Sequence, residues 1–395
     1  MKKFGLLPKI IIAIALGIVA GSIFPDSILK LFVTFNGIFG KFLGFAIPLI
    51  IIGFIAPGIA SLGKGAGKML GLTAGIAYIS TITAGLLAFF VASTLYPSLL
   101  ANQSAKAFEN PEEALLAPYF ILEIPPVMGI MTALLIAFTL GLGLAVIKGN
   151  TLQNAMNDFR QIIEKVIENI IIPLLPLHIF GIFANMTQGG QVTAIMSVFA
   201  KVFVMIIVLH LLFLLLQYSA AGAVSKGNPL KMLKNMLPAY MTALGTQSSA
   251  STIPVTLRQA KKIGTREKVA DFSVPLFATI HLSGSTITLV SCGMAVMMLQ
   301  GQMAGFTAML PFILMLGVTM IAAPGVPGGA VMAALGLLES MLGFDPTMLS
   351  LMIALYLAQD SFGTACNVTG DGALSVLVDK FSGKSKSTDA AEHVA

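Results

Sequence analysis

Tryptophan is absent from this 395-residue chain, and cysteine, histidine and charge are nearly so. Only 10% of the residues are charged, where a soluble domain carries about 25%; an ordinary cytosolic enzyme is excluded. The two cysteines, Cys292 and Cys366, sit inside apolar segments, so no disulfide framework is implied. Without tryptophan, and with six tyrosines, little is available for an aromatic belt at a membrane interface. No His-Glu-x-x-His, paired-cysteine or Gly-x-Ser-x-Gly motif occurs, which leaves an enzyme without a catalytic constellation. The net charge of +6 does not read as a nucleic-acid surface, because the basic residues come in short clusters between hydrophobic segments. That is the pattern of cytoplasmic loops under the positive-inside rule.

What the chain has instead is hydrophobicity: 56% of its residues are hydrophobic and its mean hydropathy is +0.92. Stretches such as Leu70–Leu95 and Val127–Ile147 are long enough for a bilayer core of roughly 30 Å. With Lys2, Lys3 and Lys9 placed in the cytoplasm, spans are expected over about Leu6–Phe24, Asn36–Leu62 and Met69–Thr94. An outer loop, Tyr96–Pro118, holds Glu109, Glu112 and Glu113. A fourth span returns to Lys148. A fifth begins with the polar stretch Asn154–Glu168 and leads out to Thr187–Gln191. A sixth, about Thr193–Tyr218, comes back to Lys226, Lys231 and Lys234.

Two later stretches do not fit a simple crossing. Pro229–Gln259 has basic residues on both sides, so both of its ends belong inside, and its middle, Gly245 to Pro254, is too polar for lipid. A re-entrant hairpin satisfies both facts, since irregular backbone at membrane depth is tolerated where it is buried in protein or lines a cavity. After a seventh span, about Val269–Leu299, the run Phe306–Leu342 is broken at Ala323-Pro324-Gly325-Val326-Pro327-Gly328-Gly329 and flanked by stretches poor in Lys and Arg. It reads as a second hairpin from the opposite face. The eighth span, about Thr347–Val378, ends at Lys380, Lys384 and Lys386. The fold expected is all-α and integral to the membrane: eight transmembrane helices plus two re-entrant helical hairpins with inverted repeats. Both termini are then cytoplasmic, and the polar tail Ser382–Ala395 lies outside any span.

The eighth span carries Asp360, Thr364, Asn367 and Asp371, whose spacings of 4, 3 and 4 set them on one helix face. Each intramembrane carboxylate costs about 2.5–3.5 kcal/mol on insertion scales and usually marks a substrate or ion path. The two aspartates are eleven residues apart, roughly 16 Å along a helix, too far to share one hydrolytic reaction. The bland alternative is a structural polar network between helices. The seventh span contains Thr279-Ile280-His281-Leu282-Ser283-Gly284-Ser285-Thr286, where Gly284 suggests local unwinding that would free carbonyls for a cation. His281 is as readily a core histidine as a functional one. His178 and His210 have no polar neighbours in sequence and read as structural; Glu123, before Pro125-Pro126, reads as interfacial.

Four motifs in order then resemble the dicarboxylate/amino acid:cation symporters, the glutamate and neutral amino-acid transporters. They are Thr246-Gln247-Ser248-Ser249-Ala250-Ser251-Thr252-Ile253-Pro254, Pro275-Leu276-Phe277-Ala278-Thr279-Ile280-His281, Gly325-Val326-Pro327-Gly328-Gly329, and Asp360 to Asp371 ending in Asn367-Val368-Thr369-Gly370-Asp371. The resemblance spans nearly the whole chain. It implies a homotrimer in which residues 1–62 and 119–190 (spans 1, 2, 4 and 5) form a scaffold. Residues 63–95 and 191–381 would form a transport domain moving as an elevator, with 382–395 a cytoplasmic tail. It further implies one sodium site from the Asp371 carboxylate and carbonyls of Phe277, His281 and Asn367, and a second from carbonyls of Thr279, Met320, Ile321 and Ala323. Substrate contacts would come from Ser249, Ser285, Val326, Asp360, Thr364 and Asn367. Asp360 would hold the α-ammonium, while Asn367 and the tip backbone would hold the α-carboxylate.

Two departures refine the expectation. Acidic-substrate members place an arginine just before the eighth-span threonine, where this chain has Gly363. The seventh-span motif, usually Asn-Met-Asp-Gly-Thr, is His281-Leu282-Ser283-Gly284-Ser285, so the acidic and amide side chains of a third, deep sodium site are missing. The expected protein is therefore a sodium-driven symporter of a small neutral amino acid in the cell membrane, with proton-coupled amino-acid or dicarboxylate symport as the alternative. Sodium is its co-transported ion. Its partners are the amino acid, the bilayer and further copies of itself, with no organic cofactor and no nucleic acid. An ion channel is the rival from another class; it would need a continuous pore lining instead of an occluded midplane site.

Overall fold

A computed structural model of the chain describes residues 6–63, 68–99, 116–190, 192–302, 305–323 and 327–382. All regular structure among these residues is helical. Five lengths are long and apolar enough to cross a membrane: Asp26–Ala60, Met69–Leu99, Thr151–Gln188, Ile195–Ser225 and Glu267–Leu299. The outer loop with Glu109, Glu112 and Glu113, residue Val326 and the tail beyond Ser382 lie outside the described residues.

Helix α1 (Leu6–Ile23) ends before Pro25, and α2 (Asp26–Gly63) starts at once, not at Asn36 as expected from hydropathy. Proline cannot extend the preceding helix, and an aspartate in the first turn suits the positive end of the next. The chain continues with α3 (Lys68–Leu99) and α4 (Ile130–Val146). Then α5 (Thr151–Val166) passes through one π-helical turn, Ile167–Ile171, into α6 (Ile172–Gln188), and α7 (Val192–Ser225) follows. Outward-facing Ile79, Leu135, Val204 and Leu211 form an apolar exterior suited to lipid. Mid-helix hydroxyls avoid stranding in that setting by bonding back one turn, as exposed Thr83 does to the Ile79 carbonyl at 2.8 Å.

The chain then folds into two helix pairs. In the first, α8 (Pro229–Thr246) and α9 (Ser249–Lys262) pack against each other and are joined by Gln247 and Ser248 alone. In the second, α12 (Phe306–Ile321) packs on α13 (Gly329–Leu342) across residues 322–328. Between the pairs runs a broken helix, α10 (Glu267–Ile280) and α11 (Ser283–Leu299), and after them the long α14 (Pro346–Phe381). Asn228, Ser248 and Asp345 cap α8, α9 and α14, each satisfying one of the amide donors a helix start leaves open.

Helix α14 is the centre of this half, packing on α7, α8, α9, α10, α11 and α13. Its approach to α11 depends on Gly284. A Cβ built there would stand 2.5 Å from the Gly363 carbonyl oxygen and 2.6 Å from the Cys366 Cβ. The seventh-span break therefore lies at His281–Leu282, which have extended and irregular backbone, and not at Gly284. The glycine is helical and serves packing.

The turn between α9 and α10 is tied by charge. Lys261 reaches Glu267 and Asp271 at 2.8 Å each. Asp271 foremost, then Glu267, holds the lysine above its ordinary pKa, though exposed pairs of this kind add little stability. Arg266 bonds the Asp379 carboxylate and carbonyl, fastening the start of α10 to the end of α14.

Candidate functional site

The two hairpin tips, the break between α10 and α11, and the middle of α14 meet around one cavity of about 30 Å³. That is room for a water or two, not for an amino acid. Five of the six substrate residues expected from sequence line it: Ser249, Ser285, Asp360, Thr364 and Asn367. Thr279 and Ala323, expected as cation ligands, line it as well. The sixth substrate residue, Val326, lies outside the described residues. Four or three residues per step on α14 bring the helical stripe onto this wall, as its spacing requires.

The polar groups are arranged for an ion of each sign. Helices α9 and α13 start at the cavity, through Ser249 and Ala330, and helix starts present free amides and a positive dipole end to an anion. The Asp360 carboxylate accepts the Gly328 amide at 2.7 Å, so the expected ammonium anchor is engaged with the second tip in this state. Asn367 is also engaged. Its Oδ1 accepts from the Gly284 and Ser285 amides at 2.7 and 3.2 Å, capping α11, and its Nδ2 donates to the Ser285 hydroxyl at 3.0 Å. Among the described lining residues the one formal charge is Asp360, with no lysine or arginine.

On the other side, α10 and α12 touch, and Thr279 near the end of α10 and Ala323 just beyond the end of α12 line the same cavity. The last carbonyls of a helix lack intrahelical partners and carry its negative dipole end. Those of α10 include Thr279, and those of α12 include Met320 and Ile321, with Ala323 just beyond. Oxygen donors at two converging helix C-termini suit a hard cation.

Asp371 belongs to a separate, deeper cluster with His281. The His281 Nδ1 lies 2.8 Å from Asp371 Oδ1, and its Nε2 is 3.0 Å from the Ser80 hydroxyl. The Gln217 side-chain amide donates to Ser80 at 2.9 Å. A consistent relay runs from Gln217 to Ser80, to Nε2, and from Nδ1–H to the carboxylate. The imidazole thus joins one hydroxyl to a carboxylate. It is 0% and Asp371 1% exposed, and the second carboxylate oxygen, Oδ2, has no hydrogen-bond partner. Phe277, one turn before His281, gives its carbonyl to the His281 amide at 2.9 Å.

The two histidines read as lacking polar neighbours do have them. His178 bonds Asn36 Oδ1 at 3.1 Å and the Ser350 hydroxyl at 3.2 Å, linking α2, α6 and α14. His210 Nε2 lies 3.0 Å from the Gly284 carbonyl and 3.2 Å from the Thr288 hydroxyl. These partners are 74 to 172 residues away, beyond any local pattern. Glu123 is exposed and pairs with Lys41 at 2.9 Å. Sequence reasoning also passed over Gln247 and Tyr356, which line the cavity. Tyr356 was within reach of the spacing argument, since it precedes Asp360 by four residues on the same face.

A family model described as the Sodium:dicarboxylate symporter family matches residues 6–381. The chain is 26% identical over 391 residues to the serine/threonine transporter SstT of Acinetobacter baumannii strain AYE, covering 95% of this chain and 97% of that one. It is 25% identical over 397 residues to the protein of the same name from Acinetobacter baylyi, covering 96% and 98%.

Proposed function

We infer that this chain, which belongs to the Sodium:dicarboxylate symporter family, is a sodium-driven symporter that carries a small neutral amino acid across the cell membrane. The observation that carries the substrate class is the cavity lining, which among the described residues offers one carboxylate, several hydroxyls and amides, and no cation. A substrate with a side-chain carboxylate would be desolvated there without a counter-charge, which is strongly unfavourable. An α-ammonium finds that counter-charge in Asp360, and an α-carboxylate finds the amides at the starts of α9 and α13 and the Asn367 side chain. Serine, threonine and alanine fit this description, and the relatives named as serine/threonine transporters support it.

In the mechanism we propose, the substrate ammonium displaces the Gly328 amide from Asp360 as the second hairpin lifts, and the tip closes again over the bound amino acid. Sodium, as co-substrate, would be held at two places: by Asp371 with carbonyls of Phe277, His281 and Asn367, and by carbonyls of Thr279, Met320, Ile321 and Ala323. The free Oδ2 of Asp371 and the meeting of Thr279 and Ala323 at one cavity support those two assignments. Eight spans, two re-entrant hairpins and cytoplasmic termini complete the proposal. So does a trimer whose scaffold helices stay fixed while the remainder moves as an elevator. Uptake driven by a sodium gradient into proteoliposomes, across a panel of labelled amino acids and dicarboxylates, tests it. Tight binding of aspartate or succinate, with none of serine or alanine, would refute the neutral-substrate reading.

One contact favours a second reading. His281 takes one oxygen of Asp371, so an imidazolium could serve there in place of a metal cation, and protons could drive the carrier. Substrate affinity measured against sodium concentration at several pH values separates the two. A Hill slope near two with little pH dependence supports two sodium ions and a structural His281. Sodium-independent binding lost in His281→Gln supports proton coupling.

A further inference from the structure

We propose that Tyr356 is a specificity-determining residue whose phenol recognises a hydroxyl on the substrate's side chain, so that the carrier prefers serine and threonine to alanine and valine. The proposal rests on the neutral amino-acid reading and adds to it the group that discriminates among such substrates.

Tyr356 is 0% exposed and lines the cavity, yet its hydroxyl has no hydrogen-bond partner. The groups nearest in effect are the Asp360 carboxylate and the Ser285 hydroxyl, both on the same wall. A buried phenol without a partner is costly, and tyrosine normally finds one when it is buried. Both neighbours already hold other partners, Asp360 Oδ2 the Gly328 amide and the Ser285 hydroxyl the Asn367 amide, and the phenol interacts with both without a well-formed hydrogen bond to either. The hydroxyl thus keeps unused hydrogen-bonding capacity on a residue that lines the cavity.

Its position also matches the substrate's chemistry. With the ammonium on Asp360, a β-hydroxyl stands only two carbons from the anchored nitrogen. Tyr356 sits one helical turn before Asp360 on the same face of α14. A phenol both donates and accepts, so it can bond a substrate hydroxyl in either sense. A cavity that hydrogen-bonds a substrate hydroxyl rejects the analogue without it, because the protein's own polar group is then left unpaired. The fully buried ring does not need this hydroxyl in order to pack, and phenylalanine would fill the same volume.

The test is equilibrium binding of serine and alanine, and of threonine and its isostere valine, to the purified full-length transporter in sodium. Wild type should favour each hydroxyl-bearing member of the pair. Tyr356→Phe should weaken serine and threonine by about tenfold or more while leaving alanine and valine within about twofold, which also shows that the variant folds. Tyr356→Leu should collapse the serine-to-alanine ratio in the same way. Equal loss for both members of each pair, or an unchanged ratio in Tyr356→Phe, overturns the proposal. If wild type binds none of the four, the neutral-substrate reading itself has failed. If wild type binds alanine as well as serine, that reading stands and the role of Tyr356 falls.

Discussion

The two hairpins answer the same topological need with opposite bonding. The first tip is closed on itself. Gln247 takes a left-handed conformation with φ 54° and returns its amide to Ala243 at 2.8 Å. Ser248 caps α9 through the Ser251 amide, and the Thr252 hydroxyl bonds the Ser248 carbonyl at 2.9 Å. Among its described residues, the second tip leans on another element. Its helix α13 begins after Gly328, left-handed at φ 75° with no side-chain cap, and the Gly328 amide is satisfied by Asp360 on α14. A tip held by its own residues keeps its shape whatever the site contains. If the substrate ammonium takes Asp360, as proposed above, the Gly328 contact must give way, so occupancy would act on the second hairpin and not on the first.

The largest expected effect comes from cutting the contact on which this contrast depends. Asp360→Asn removes the charge shared by the Gly328 amide and the substrate ammonium, and a buried bond to a charged group contributes about 1.5–3 kcal/mol. Amino-acid binding measured by calorimetry should weaken by an order of magnitude or more. Affinity equal to wild type would end the assignment.

Gly328→Ala attacks the same tip from the backbone side. A residue with a Cβ costs about 1–2 kcal/mol in the left-handed region, and that Cβ would stand 2.8 Å from the Leu357 Cδ2. If closure of this tip is part of binding, substrate affinity should drop by about five- to thirty-fold, the equivalent of that strain. A wild-type dissociation constant would show that the tip closes without this geometry.

Ser248→Ala is the matching change in the first hairpin. Loss of an N-cap costs about 1 kcal/mol, and it should appear as a lower unfolding temperature with a smaller change in affinity than Gly328→Ala produces. Equal losses of affinity in the two variants would erase the distinction between the tips. Gln247→Gly should do least. Glycine is at ease at φ 54°, and the relief of about 1 kcal/mol of left-handed strain is largely offset by about 0.4–1 kcal/mol of added freedom in the unfolded chain. Thermal stability should therefore stay near wild type, and a marked fall would assign Gln247 a bonding role at the tip.

Much of this was legible before any fold was known. The break points of both hairpins follow from the polar run at 245–254 and from Pro324 to Gly329, and the α14 stripe follows from its spacing. Position within an element was harder to read. Gly284 looked like an unwinding residue but proved to be a contact residue, because a missing side chain serves flexibility and close packing equally well. The start of α2 at Asp26 was missed because hydropathy marks where a helix is apolar, not where its hydrogen bonding begins.

By itself the sequence determined the helical class, the two interruptions and the set of polar residues that face one wall. These rest on period, proline and glycine, all of which act within a few residues of chain. Only the tertiary structure decided who pairs with whom. Asp371 meets His281 across 90 residues, and His281 meets Ser80 across 201. Asp360 meets the Gly328 amide across 32, and the Tyr356 hydroxyl meets no partner. A buried polar group must find its partner on whichever helix packs against it, and that helix is chosen by the packing of the whole bundle.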